Sequence, residues 1–375
     1  MKIAWICFAF NDYSIVHANA LADEHSVLLV LPAREVRDGE HPLDPAVELF
    51  AFKMPRLRQP IQQLRTVFKI LRKVREFDPD VIHYQHGHLW FNLALPLLRR
   101  FPLVLTIHDP RHHMGDAESK RTPQSVMDFG FRTADRVIVH GKNIAEEVHR
   151  EISIPKERIE VIPHVAIGDV GGHQHVEEDE KSVLFFGRIW GYKGLEYLIR
   201  AEPLISEKIE NVEITIAGKG EDLERYRRLM KNPDRFVIRD TWISNEERAT
   251  LFQRAAVVVL PYISATQSGV IPVAYSFGKP VVATTVGALP EYVDHGRTGL
   301  LVPPRDEKTL AAAVVRLLQD VELRHSMGEN GKRMLFEKCA PDVVAHSTAE
   351  VYRRAIDGRK SGASPAVKVD SERRD

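Results

Sequence analysis

Only two cysteines, Cys7 and Cys339, occur in 375 residues, and they lie far apart. That excludes a disulfide framework and a thiolate metal cluster, and it suits a reducing, cytosolic setting. An excess of one charge is also missing. Lys plus Arg and Asp plus Glu each number 52, so net charge points to no nucleic-acid partner. No apolar run approaches the length that spans a bilayer, and the apolar N-terminus MKIAWICFAF is too short for an export signal. A soluble protein is expected. Three catalytic signatures are absent as well. The turn Ala9-Phe10-Asn11-Asp12, after the first apolar run, lacks the Gly-x-Gly-x-x-Gly spacing of a dinucleotide site, which argues against a nicotinamide dehydrogenase. There is no Walker-type lysine loop and no Gly-x-Ser-x-Gly elbow. The one Asp-x-Asp, Asp78-Pro79-Asp80, reads as a turn.

What the chain does have is alternation. Short apolar runs at Ile3–Phe8, Val27–Leu31, Val81–Tyr84, Leu103–Ile107, Val137–Val139 and Ile159–Ile162 read as buried strands. Helical patterns such as Asn92–Arg100 and Ser125–Ala134 lie between them. A glycine-rich polar stretch, 166–181, has no apolar period and reads as a linker. The alternation then restarts, with strands at Val183–Phe186, Val212–Ala217, Phe236–Ile238, Val257–Leu260, Val281–Thr284 and Leu300–Val302. Helices are predicted over Leu195–Ile205, Leu223–Met230, Asn245–Arg254, Glu307–Leu318 and Val343–Ile356. The expected architecture is α/β, with two doubly wound Rossmann-like domains facing a central cleft. They cover 1–165 and 182–340, followed by a helix over 341–357 and a disordered tail over 358–375.

Two turns stand out at the expected strand ends. Thr266-Gln267-Ser268-Gly269 follows the run Val257–Leu260 and leads into a segment that can wind as a helix to Phe277. Such a small-residue turn points backbone N–H groups at an anion, most often a phosphate. The second turn is Gly187-Arg188-Ile189-Trp190-Gly191-Tyr192-Lys193-Gly194. Arg188 offers a planar fork for two phosphate oxygens and Lys193 a mobile point charge. Taken alone, the first turn reads sooner as an ordinary strand–loop–helix connection, and the second equally as two solvated surface cations. Together, beyond one sheet edge, they suit two linked phosphates.

Two other features carry chemistry. His83, His86, His88, His108, His112 and His113 crowd the first half without a helix-face or Cys-paired spacing, so no metal is expected. They are expected to line an acceptor cleft. The stretch Lys53–Arg75 holds eight basic residues and no acid. Within it Ile61, Leu64, Phe68 and Leu71 repeat at helical spacing beside Arg65, Lys69 and Arg72. The stripe is expected to pack on the sheet, leaving a basic rim toward an anionic membrane surface.

GRIWGYKGLEYLI, IAGKGED, WISNEERATLFQRAAVVVLPY and GKPVVATTVGALPEYVDHGRTGLLV, in this order, resemble the nucleotide-sugar domain of GT-B glycosyltransferases of family 4, the group 1 glycosyltransferases. DPDVIHYQHGH, LVLTIHD, TADRVIVHGKNIAEEV and ERIEVIPHV resemble that family's acceptor-side domain, so the likeness runs from Met1 to Ile356. It implies a GT-B fold, with the helix over 341–357 returning to the first domain. The implied reaction retains anomeric configuration, needs no metal, and moves a sugar from a nucleotide diphosphate to a glycan or lipid-linked acceptor. Arg188, Lys193 and the amides of Ser268, Gly269 and Val270 would hold the diphosphate. Gly187, Ile243 beside the base, Thr266 and Gln267 would complete the donor site. His108 would sit by the reacting sugar, with Asp109 beside it. The implied location is the cytoplasm, peripheral to the inner face of the cell membrane.

One departure stands out. The family usually carries two glutamates eight residues apart, and their positions fall near Ala265 or Thr266 and near Val273 or Ala274, none acidic. ATQSGVIPVAY resembles a branch without the pair. Glu291 is a candidate replacement, and a helix-start carboxylate with a structural role is the alternative. The missing pair also keeps open a non-catalytic nucleotide-sugar-binding or scaffold subunit, besides another GT-B activity such as a sugar phosphorylase or epimerase.

Overall fold

Apolar runs too short to stand as helices become the strands of two parallel sheets. The computed structural model describes residues 1–37, 41–85, 87–112, 122–167, 174–220 and 222–361. The first sheet contains β1 Lys2–Cys7, β2 Ser26–Pro32, β3 Glu48–Phe52, β4 Val81–Gln85, β5 Leu103–Thr106, β6 Arg136–Val139 and β7 Ile159–Val161. Its order is β3-β2-β1-β4-β5-β6-β7. The second contains β8 Ser182–Phe186, β9 Glu213–Ala217, β10 Phe236–Arg239, β11 Val257–Leu260, β12 Val281–Thr284 and β13 Gly299–Val302, in the order β10-β9-β8-β11-β12-β13. Every pair is parallel. The order reverses between β1 and β4, and again between β8 and β11. Ligands of doubly wound sheets bind beyond the carboxyl ends at such switch points.

The structure moves several expected elements. Strand β3 had no expectation, although Leu49–Phe52 is an apolar run; as an edge strand it keeps three of its five residues exposed. The helix Asn11–Ala22 begins directly after Phe10, where a turn was expected. It is buried nearly all round, between the sheet and the C-terminal helix, so it carries no one-sided stripe. The helix expected after the Thr266–Gly269 turn, to Phe277, spans Val270–Ser276. Leu89–Ala94 and a 3₁₀ turn at Leu95–Leu98, which holds Pro96, replace the helix expected over Asn92–Arg100.

The C-terminal helix runs Pro341–Lys360, past the expected end at 357. Its Val344, Ala349, Val351 and Tyr352 pack with Trp5, Tyr13 and Leu29 of the first domain. The expected tail from 362 onward, linker residues 168–173, His86 and His113 lie outside the described residues. Asp78 caps the helix Pro60–Phe77 in the left-handed conformation, and Asp80 accepts the Lys2 N–H at 2.7 Å, so both serve turns.

Helix Pro60–Phe77 keeps only Leu71 of the expected stripe on the sheet. It buries Val67, Ile70, Leu71 and Val74 on the sheet, whereas Ile61, Leu64 and Phe68 are 65%, 58% and 63% exposed. Both sets satisfy helical spacing, and only the sheet selects between them.

Candidate functional site

Strand β8 ends at Phe186, and Gly187, with a φ of 112°, turns the chain at the strand's carboxyl end. Arg188 follows, exposed, and then a 3₁₀ turn over Gly191–Lys193. Gly194 has a φ of 65°, and a Cβ there would lie 2.0 Å from the Pro261 carbonyl oxygen. Only glycine lets this turn press against the end of β11. The contact buries Lys193, which is 9% exposed, with its Nζ 3.8 Å from the centre of the Tyr262 ring and 5.2 Å from that of Tyr192. Burial pulls the Lys193 ammonium down to about 8; the Arg188 charge adds to that fall, while Tyr192 and Asp109 oppose it. The charges of both domains therefore meet at Lys193.

Tyr262 links the two turns. Its hydroxyl is 3.1 Å from Ser268 Oγ, which accepts the Val270 N–H at 3.3 Å. Gly187 adjoins Val270, with 3.7 Å between an added Cβ and Val270 Cγ2. A Cβ on Gly269 would meet nothing within 4 Å, so the backbone there opens onto space. Thr266 and Ser268 are buried, and Gln267 is half-buried between them. Arg188, Lys193 and the Ser268–Val270 turn thus line one edge beyond β8 and β11. Ile243 is half-buried against the second domain's core, and beside it Ser244 caps the helix Asn245–Arg254. Glu291 bonds to the first domain: its Oε2 accepts from Lys142 N at 2.7 Å and its Oε1 from Asn143 N at 3.0 Å.

In the first domain, His108 follows β5 and is buried. Gln85 Nε2, at the end of β4, lies 2.8 Å from His108 Nε2. With that amide donating, the imidazole proton sits on Nδ1. Phe10 stacks on the ring at 4.2 Å, and Tyr13 meets it edge-on at 5.1 Å. His140 and His164 complete the cluster, with ring centres 4.9 and 5.9 Å from His108. Burial lowers His140 to about 3 and His164 to about 4, so both are neutral near pH 7. Among the described residues, no group of three His, Cys, Asp or Glu is disposed to hold a metal ion. Asp109 is half-buried, and its charge reaches both His140 and Lys193.

Two of the six histidines differ from the expected cleft lining. His83 is fully buried, stacked on Trp5 at 3.8 Å and hydrogen-bonded to Tyr352 and Thr106 at 2.7 and 2.9 Å. His88 packs its ring on Phe8 at 4.5 Å. His83 lies in the middle of β4 and His88 just beyond it, and which way each side chain turns depends on the helices laid over the sheet. Tyr262, Gln85, His140 and His164 were not singled out from the sequence. Tyr262 and Gln85 carry the one available signal, a position at or just past the end of a strand.

Two family descriptions match the chain. Glycosyltransferase Family 4 matches residues 13–165, and Glycosyl transferases group 1 matches residues 180–320. An uncharacterised glycosyltransferase of Methanocaldococcus jannaschii is 30% identical over 301 residues, 74% of this chain and 76% of that one. Among solved structures, a sucrose-phosphate synthase from Thermosynechococcus elongatus superposes with a TM-score of 0.74 at 20% identity, over 96% of this chain and 100% of that one. Anabaena HepE in complex with UDP-glucose superposes with a TM-score of 0.71 at 18% identity, over 94% and 100%.

Proposed function

The chain belongs to the family 4, group 1 glycosyltransferases of GT-B fold, and from that premise we propose a retaining, metal-independent transfer of a sugar from a nucleotide diphosphate to a glycan or lipid-linked acceptor. The observation that carries this reading is the meeting of Arg188, Lys193 and the Ser268–Val270 turn at one sheet edge, with the charge of Asp109 reaching Lys193 from the other domain. Arg188 and Lys193 neutralise the charge that develops on the departing diphosphate. Preorganised cations in a water-poor site stabilise that charge more than water does. The acceptor oxygen forms its bond to the anomeric carbon on the face that the phosphate oxygen leaves. The acceptor proton passes to that phosphate oxygen. His108 donates through Nδ1–H to a sugar hydroxyl, and Asp109 takes part beside it.

A thermal-shift screen against UDP, GDP, ADP and TDP tests the reading. UDP comes first, because the Anabaena neighbour binds UDP-glucose. At a hundred times its Kd, one nucleotide should stabilise the fold by about 2.7 kcal/mol. No response to any of them would favour a scaffold without catalysis. The His108→Ala variant should keep the nucleotide shift and lose turnover by about 10²-fold or more. Unchanged turnover would make His108 structural.

For the acceptor side we propose peripheral contact with an anionic membrane, at its cytoplasmic face. Among the described residues, no helix is long and apolar enough to cross a membrane. Exposed Ile61, Leu64 and Phe68 lie on a helix that contacts Leu89–Ala94, whose Leu93 is also exposed, as is Leu97 just beyond it. Arg65 and Lys69 flank this apolar ridge, and each basic residue near an anionic surface contributes about 1 kcal/mol. The protein should co-sediment with phosphatidylglycerol vesicles and less with phosphatidylcholine ones, and Phe68→Glu should release it. Equal binding to both lipids, or none to either, would refute the contact.

A further inference from the structure

Between β12 and β13, the stretch Val286–Tyr292 reaches from the second domain into the first. Ala288 is fully buried within the first domain's own core cluster. It sits against Gly141, the N-cap of the helix Lys142–Ile152. A Cβ at Gly141 would lie 2.6 Å from Ala288 Cβ and 3.0 Å from Glu291 Oε1, so the approach depends on the missing side chain. That helix receives no side-chain cap from its own N-cap residue. The first N–H groups of a helix need acceptors, which a local Ser, Thr, Asp or Asn commonly supplies. Here the acceptor comes from the other domain, as the Glu291 carboxylate on the Lys142 and Asn143 amides. Asn143 Nδ2 returns a bond to the Gly287 carbonyl at 2.9 Å. Tyr292 adds two more, donating to His140 O at 2.8 Å and accepting from His164 N at 2.9 Å.

The same stretch also touches the donor loop. Ala288 N donates to the Thr266 carbonyl at 3.0 Å, and a Cβ on Gly287 would lie 1.8 Å from the Ala265 carbonyl oxygen. Val286–Tyr292 is thus a wedge, with the Thr266–Gly269 turn on one side and the first domain on the other.

We propose that Glu291, with Gly141 as its seat, is a positioning residue that latches the two domains at the separation where His108 and Asp109 act with Arg188 and Lys193. This role rests on the transferase reading. Glu291, Lys142 and Asn143 are exposed, so water competes for the cap and the latch can open between turnovers. The Arg188 and Lys193 clamp lies within the second domain, so nucleotide binding does not require the latch. Assembly of the complete site does.

Two variants open the latch by unrelated routes: Glu291→Ala removes the cap, and Gly141→Ala inserts a methyl group against Ala288. In each, the amides of Lys142 and Asn143 should exchange hydrogen about five- to tenfold faster, the size of a lost helix cap. The Kd for UDP, from calorimetry, should stay within twofold. The kcat for release of UDP from UDP-glucose should fall about tenfold, with an intermediate loss in Glu291→Gln, which keeps one acceptor oxygen. Faster exchange with unchanged kcat would overturn the role and leave a purely structural contact. Loss of UDP affinity together with kcat would also overturn it, because the effect would then run through the donor site. A wild-type chain inert to UDP and UDP-glucose would overturn this role in its stated form; a response to another nucleotide would then preserve the transferase reading, and silence toward all four would end both.

Discussion

Lys193→Ala is expected to lower kcat/KM for sugar transfer by about 10³-fold, and Arg188→Ala by a similar or smaller factor. Lys193 carries the larger expectation because it is buried beside Tyr262 and its ammonium is already depressed to about 8. A charge held in a poorly hydrated place interacts strongly with an arriving anion. The depression has a defined sign. The charged form is disfavoured in the folded protein, so below about pH 8 the empty protein carries a cost of about 3 kcal/mol relative to an ordinary lysine. Lys193→Met should therefore raise or preserve the thermal midpoint while abolishing transfer. A bound diphosphate favours the ammonium and raises its pKa. Between that raised value and 8, binding takes up a proton, so the Kd for the nucleotide should rise about tenfold per pH unit above pH 8. The last ionisation of a phosphate lies near 6 and does not interfere. Calorimetry at pH 7, 8 and 9 reads the effect directly. A flat profile, or full activity in Lys193→Ala, would take Lys193 out of the phosphate site.

The second large effect concerns the entry to the second domain. Glu178, on the segment leading into β8, lies 2.5 Å from Lys279 Nζ and 3.0 Å from Arg324 Nε, with His325 Nε2 at 3.3 Å. Arg324 is fully buried and Lys279 nearly so. Glu178→Ala leaves two buried cations without their counter-charge, which costs about 3–5 kcal/mol. Burial by itself would raise the Glu178 carboxyl, but the Lys279 hydrogen bond and the charges of Lys279 and Arg324 outweigh it and hold it below its ordinary 4.5. A depressed folded-state value contributes stability above about pH 4.5 that is lost as pH falls through the folded value. Urea unfolding from pH 7 down into the acid range should show the wild type's advantage over the variant begin to shrink below about pH 4.5 and vanish only below the folded-state value, with the variant lacking it throughout. A difference under about 1 kcal/mol at pH 7 would mean that water has already replaced the pair.

Much of the fold was legible because a strand buried on both faces has to be a short apolar run. Val257–Leu260 and Val281–Thr284 have the bounds their runs predicted. The members of the candidate site were legible for a related reason: turns after such strands lie on one edge of the sheet, which draws Arg188, Lys193, Ser268 and His108 into view. Strand β3 went unassigned although Leu49–Phe52 is apolar, and its place at the sheet edge leaves three of its five residues exposed. The inward face of helix Pro60–Phe77 was misjudged because two stripes share one period.

The amino-acid sequence by itself determined the two-domain α/β architecture, the order of the strands along the chain, and the cations at the first strand end of the second domain. All of these follow from periodicities and turn residues within a few positions of one another. Only the tertiary structure decided that Lys193 is buried under Tyr262, that His83 belongs to the core, and that Glu291 caps a helix of the opposite domain. Each of those contacts joins residues distant in sequence, 149 positions apart for Glu291 and Lys142, where no local pattern reaches. Burial and pairing are properties of the assembled surfaces, so the chemistry of a charged residue waits on the fold that encloses it.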